Sequence, residues 1–250
     1  MKQIAAVAAL VVFAATGVAQ AADLPVKAPM RAAPVAYSWT GCFIGAAGGG
    51  VWGRSRHISG DLATLGVDIT NNYNINGGIL GVEYGCSYQS GQWLFGTESD
   101  FSWTGLRGGA NNIAPFNTAS ISSTDQHWLS TSRLRVGFLA TPDLLLYATG
   151  GLATARVEAI VNAIAVGGGV ISESRTRWGW TGGAGAELHL SGNWSAKVDY
   201  LFVRLNDKEY FVPPPVGFAS RGNVPVSEHI VRVGLNYKFT NCFFVFLGCS

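Results

Sequence analysis

The sequence predicts an all-β chain closed into an eight-stranded antiparallel up-and-down transmembrane β-barrel. Three observations carry that expectation. About eight segments alternate apolar and polar residues with the period of two that turns successive strand side chains to opposite faces. The connections between them alternate short and long, so every tight turn falls at one rim and every long loop at the other. Charged residues are only 13% of the chain, where soluble domains carry about a quarter, and after the N-terminus no apolar run is long enough for a spanning helix.

Residues 1–21 read as a secretory signal peptide: Lys2, the apolar run Ile4–Ala15, then Ala19-Gln20-Ala21. That run is about a dozen residues, where a helical span needs roughly twenty. Removing Lys2 from 17 basic residues leaves 16 against 15 acidic ones, a net charge of +1. Such a balance gives no argument for a nucleic-acid partner. Residues 22–38, with Pro25, Pro29 and Pro34, read as an extended periplasmic leader, because proline fixes φ and removes a donor.

Residues 39–239 read as the barrel. Trp39–Trp52 is apolar and glycine-rich. Gly77–Tyr88 sets Leu80, Val82 and Tyr84 against Gly81, Glu83 and Gly85. Trp93–Trp103 sets Trp93, Phe95 and Phe101 against Glu98 and Asp100. Gln126–Ala140 sets Leu134, Val136 and Phe138 against Arg133, Arg135 and Gly137. Leu144–Glu158 is less regular. Arg177–Leu190 sets Trp178, Trp180 and Leu188 against Arg177, Gly183 and Glu187. Trp194–Leu205 sets Val198, Tyr200 and Phe202 against Lys197 and Asp199. Ser227–Phe239 sets Val231, Val233, Leu235, Tyr237 and Phe239 against Arg232, Gly234 and Asn236. Gln89–Gln92, Thr141–Asp143 and Ser191–Asn193 are tight turns. Arg54–Asn76, Thr104–Asp125, Ala159–Thr176 and Asn206–Val226 are the long loops.

Alternation alone leaves two orientations. A soluble barrel puts the aromatic face inside, and a membrane barrel exchanges the faces. Aromatic residues at strand ends (Trp39, Trp52, Trp93, Trp103, Trp128, Trp194, Tyr237 and Phe239) suit two interfacial girdles. Glycines share the charged face, as a narrow lumen requires. Charges of both signs on that face, Glu83, Glu98, Asp100, Glu187 and Asp199 with Arg133, Arg135, Lys197 and Arg232, suit a paired lumen network. The membrane orientation is therefore expected.

Four cysteines in an exported chain suggest disulfides. Cys42 lies near the beginning of the first strand and Cys86 near the end of the second, so antiparallel pairing brings them together, and Cys42–Cys86 is the favoured bridge. Cys242–Cys249 is a possible second, closing a small loop. Neither a metal-ligand spacing nor a cofactor motif stands in the sequence. His189 and Glu187 share a face, but a lumen polar network accounts for them. Asp125, His127 and Ser130 invite a triad, which regular alternation opposes by turning His127 and Ser130 to opposite faces. No enzyme is expected.

Trp39-Thr40-Gly41-Cys42-Phe43-Ile44-Gly45 resembles the opening strand of the small outer-membrane β-barrel proteins of alphaproteobacteria, the outer membrane immunogenic protein and porin family. Gly96-Thr97-Glu98-Ser99-Asp100-Phe101, Arg133-Leu134-Arg135-Val136-Gly137, Gly179-Trp180-Thr181-Gly182-Gly183-Ala184-Gly185-Ala186-Glu187, Lys197-Val198-Asp199-Tyr200 and Val233-Gly234-Leu235-Asn236-Tyr237-Lys238-Phe239 are similar to later blocks in the same order. The resemblance implies a surface antigen of the bacterial outer membrane. Eight strands leave a lumen that side chains fill, with the long loops extracellular; a small-solute or haem binding or transport barrel is the alternative, and a lipid-acting barrel enzyme the third reading. The resemblance implies outer-membrane lipid, lipopolysaccharide and the barrel assembly machinery as partners, with the loop ligand open. Gly234, Tyr237 and Phe239 stand where such barrels carry the assembly signal, although this chain runs on through Thr240–Ser250.

Overall fold

The computed structural model describes residues 37–60, 64–211 and 222–239. The expected signal peptide, most of the leader, the 240–250 tail and a Cys242–Cys249 bridge lie outside the described residues. Eight long strands pair in sequence order: β1 (Gly41–Ser55), β2 (Tyr73–Ser90), β3 (Trp93–Asn111), β4 (Ile121–Thr141), β5 (Leu144–Asn162), β6 (Val170–Ser191), β7 (Trp194–Leu205) and β8 (Val226–Phe239). Each is antiparallel to its neighbours. The ring closes where β1 pairs β8 from Cys42↔Phe239 to Ser55↔Val226. No sheet edge is left open in the ring, so the strand N–H and C=O groups find partners inside the protein, as a hydrocarbon surround demands.

β2 to β6 are 18 to 22 residues long, where a tilted membrane strand needs about 9–11. Sequence alternation found only their lower parts. The span 104–125, expected as a loop, pairs from Leu106↔Gln126 to Asn111↔Ile121, leaving 112–120 as the connection. The reason is physical. Above the hydrocarbon the outward positions meet water, so Ser123 and Asp125 serve there as well as apolar residues do, while the inward Ser122 and Thr124 are buried and hydrogen-bonded; the hydrophobic signal fades while the hydrogen-bonded ladder continues.

The side-chain orientation is the membrane one. Trp180, Val233 and Leu235 on the outer wall are 50%, 65% and 51% exposed, whereas Arg135 and Glu187 are 2% and 4% exposed inside. An outer wall of this kind, with Leu80, Tyr84, Leu134 and Leu152 also bare, has far more continuous apolar surface than a water-soluble protein tolerates. Trp93 packs on Phe138 and Trp194 on Tyr237 near the short turns, and Phe101 on Trp103 and Trp128 towards the long loops. Trp39 departs from the expected girdle. It lies before β1, is buried, and donates its indole N–H to the Pro142 carbonyl at 3.1 Å.

Candidate functional site

The lumen is layered, and the layers follow from where each strand's inward parity places its residues. At the short-turn end Trp39, Leu94, Leu139, Leu145 and Tyr147 form an apolar plug. Towards the long loops, inward residues become apolar again: Val51, Ile75, Leu106, Leu129, Val157, Leu201, Val203 and Ile230 pack with Tyr210, Phe211 and Val224 from the last loop. That loop contributes Glu209–Tyr210 and Gly222–Asn223, which join Ile58–Ser59 in a three-stranded sheet.

Between the two apolar layers lies the charge layer. Glu83 of β2, Glu98 and Asp100 of β3, Arg133 and Arg135 of β4, Glu187 of β6, Lys197 and Asp199 of β7 and Arg232 of β8 are all buried there. β1 faces them with Gly45 and Ala47, and β6 with Gly183 and Gly185; at Gly185 an added Cβ would stand 2.5 Å from Tyr147 Oη. Small residues thus make room for long charged ones within a ring that eight strands close narrowly.

Lys197 Nζ is the hub, 2.8 Å from Glu83 Oε1, 2.7 Å from Glu98 Oε1 and 3.2 Å from Asp199 Oδ2. Arg232 forks onto Asp199 at 3.0 and 3.2 Å and reaches Asp100 at 3.4 Å. Arg133 joins Glu98 at 2.5 Å and Asp100 at 3.1 Å. Arg135 bonds Glu187 and lies 3.6 Å from Glu98, its guanidinium 3.8 Å from the centre of the Tyr147 ring. Ser195 and Asn236 donate to Glu187, and Thr131 donates to Asp100 at 2.6 Å. Buried charges are tolerable only when paired in this way. The carboxylates of Glu83, Glu98 and Asp199 come close enough together to hold a metal ion, but the Lys197 ammonium already occupies the position such an ion would take.

Two further buried charges stand outside the expected network: Arg177, which the alternation had put on the polar face, and Glu228, which it had not singled out. Arg177 of β6 donates to the Asn206 and Val224 carbonyls, tying down both ends of the last loop. Glu228 of β8 accepts from Gln126 Nε2 at 3.2 Å. The signal was present: Arg177 has the parity of Glu187, and Glu228 that of Arg232.

The remaining candidates do not assemble into a reactive centre. Glu187 is spoken for by Arg135, and His189 instead lies 3.1 Å from Asp143 and stacks on Tyr37 at the short-turn end. A register shift between Gln126 and Trp128 brings His127 and Ser130 to the same outer face, correcting the expectation of opposite faces. His127 nonetheless pairs with Glu158 at 2.8 Å, while the Ser130 hydroxyl donates to the Asp100 carbonyl. Cys42 and Cys86 face each other in the β1–β2 register and form a disulfide. Of the expected assembly residues, Phe239 ends β8 with its ring exposed, Tyr237 packs on Trp194, and Gly234 sits over Ala47.

The sequence matches the family described as outer membrane protein beta-barrel domain over residues 5–239. It is 34% identical over 238 residues to a 31 kDa outer-membrane immunogenic protein of Brucella melitensis, covering 88% of this chain and 93% of that one. It is 31% identical over 219 residues to a 22 kDa outer membrane protein of Rhizobium leguminosarum, covering 85% and 82% respectively. A 25 kDa outer-membrane immunogenic protein of Brucella canis is 28% identical over 235 residues, 93% of this chain and 95% of that one. With a closed ring of eight antiparallel strands, an apolar outer wall and these relatives, the chain belongs to the outer membrane protein β-barrel family.

Proposed function

We propose that this protein is a structural surface barrel of the outer membrane, its lumen closed by its own side chains and its long loops turned outwards. The observation that carries the reading is the stacking of the lumen. A salt-bridged layer lies between two apolar layers, so a hydrated ion meets buried hydrocarbon before and after it meets any charge. Crossing the layer would also mean unpairing groups whose partners are 2.5–3.6 Å away. The long-loop rim is read as the extracellular side because the short turns lie with the β1 start and β8 end, the arrangement of outer-membrane barrels. Conductance in planar bilayers tests the proposal. Folded protein should insert without discrete current steps, and reproducible steps would refute the closed lumen and favour solute transport.

A further inference from the structure

On the outer wall near the long-loop rim, two rows of residues run across neighbouring strands. The lower row is Asn76, Trp52, His229 and Phe202, paired in that order through β2, β1, β8 and β7. Two residues along each strand, about 7 Å nearer the loops, the upper row is Asn74, Arg54, Ser227, Arg204 and then Trp180 of β6. The Trp52 and His229 rings stack with centroids 6.2 Å apart, and Phe202 tilts against His229 at 5.2 Å.

Two clefts open here and share Arg54 and Ser227. One, of about 560 Å³, is lined by Trp52, Asn74, Asn76 and His229 among others; the second, of about 330 Å³, has Arg56 and Arg204 in its wall. Arg56 is engaged by Asp68 at 3.4 Å. Arg54 and Arg204 point outwards and have no carboxylate partner among the described residues. Their strands flank β8, so their backbones stand about 9.6 Å apart, twice the ~4.8 Å strand spacing. Two guanidinium forks over that gap match a tetrahedral oxyanion, which Arg binds bidentately. The aromatic row below adds the second half of the chemistry. Trp and similar rings favour the boundary between headgroups and acyl chains, so an anion held by the upper row would carry its apolar part down over Trp52.

We propose that this two-row cleft binds the phosphate-bearing headgroup of an outer-leaflet lipid. Arg54 and Arg204 clamp the phosphate across Ser227, Asn74 and Asn76 meet the headgroup hydroxyls, and the Trp52–His229 pair lies against the first acyl carbons. The inference rests on the membrane-barrel reading with the long-loop rim outside, but not on whether the lumen conducts. Its test is native mass spectrometry of the folded protein released from zwitterionic detergent, titrated with bisphosphorylated lipid A or with the same glycolipid after dephosphorylation. Folding of every variant is checked by heat-modifiability on a gel, so a failure of the barrel itself is read separately.

The wild type should retain the phosphorylated lipid and lose it on dephosphorylation. R54Q/R204Q should bind at least about tenfold more weakly, a loss of about 1.4 kcal/mol. R54K/R204K, which keeps the charge and removes the fork, should fall between. R156Q, removing an outward arginine on β5, should leave binding unchanged. Excess inorganic phosphate should not displace the lipid. Equal binding by R54Q/R204Q, an equal loss in R156Q, or displacement by inorganic phosphate would each overturn the assignment, the last by making a free anion the ligand.

Discussion

Replacing Lys197 by Met probes the charge layer at its hub. The substitution keeps the length and bulk of the side chain, so little packing volume changes. It removes the ammonium that lies 2.7–3.2 Å from three carboxylates. Five buried carboxylates (Glu83, Glu98, Asp100, Glu187 and Asp199) would then face the three arginines Arg133, Arg135 and Arg232. Glu98 keeps Arg133, and Asp199 keeps Arg232, but the nearest remaining cation to Glu83 is Arg232 at 3.9 Å. Breaking a buried pair costs roughly 3–5 kcal/mol. That remaining contact limits the damage, which places K197M near the lower end, about 3 kcal/mol, or a factor of about 150 in the folding equilibrium. Urea unfolding in phospholipid vesicles, followed by tryptophan fluorescence and gel heat-modifiability, reads the change. Adding E83Q should recover about 1 kcal/mol or more, because coupled neighbours depart from additivity by roughly 0.5–3 kcal/mol. If K197M unfolds at the wild-type midpoint, the layer does not support the barrel and the electrostatic argument fails.

Other perturbations should behave as follows. Trp39→Ala empties the short-turn plug and should cost roughly 3–5 kcal/mol, yet produce no conductance steps, because the ion layer and the upper apolar layer remain. Gly185→Ala drives a Cβ towards the Tyr147 hydroxyl, 2.5 Å away, and should cost roughly 1–3 kcal/mol by the same unfolding assay. Opening Cys42–Cys86, a bridge across 44 residues of sequence, should lower stability by up to about 4 kcal/mol on the chain-entropy estimate, measured with and without reductant. In the first long loop, burial pushes the His57 imidazole down from 6.5 to about 4. The unfolded segment therefore takes up a proton that the folded one refuses. Loop stability, full above pH 6.5, should fall by roughly 3 kcal/mol as pH drops through the window to about 4, and then level off. Hydrogen exchange over residues 56–60 and 64–70 should show that loss, and H57Q should abolish its pH dependence.

Period-two alternation was enough to place the lower parts of the strands, to separate their two faces and to set the Cys42–Cys86 register, because outward positions in hydrocarbon are mostly apolar; the aromatic strand ends and the mixed charges then decided which face looks out. The network members were legible for the same reason: a charge on the inward face has nowhere to go but to another charge. Alternation stopped being informative where both faces carry residues of one kind. Leu201, Val203 and Leu205 on β7 and Ile230 on β8 are apolar and inward, and beside the outward Val231 and Phe202 they leave no contrast. The upper apolar layer was therefore invisible, as were the ends of the long strands. Trp39 was misplaced because its aromatic ring suits a girdle as well as a plug, and only the closed ring decides between them. The extra residue near His127 changed faces without any local Gly or Pro to announce it.

The orientation of the wall is tested most directly by nuclear Overhauser contacts between lipid acyl chains and methyl-labelled Leu, Val and Ile in folded protein. Outer methyls of Leu80, Val82, Leu134, Leu152, Val233 and Leu235 should show strong acyl-chain contacts, and the buried methyls of Leu145, Leu201, Val203 and Ile230 none. Acyl-chain contacts to Leu201, Val203 and Ile230, with Val233 and Leu235 silent, would contradict the account.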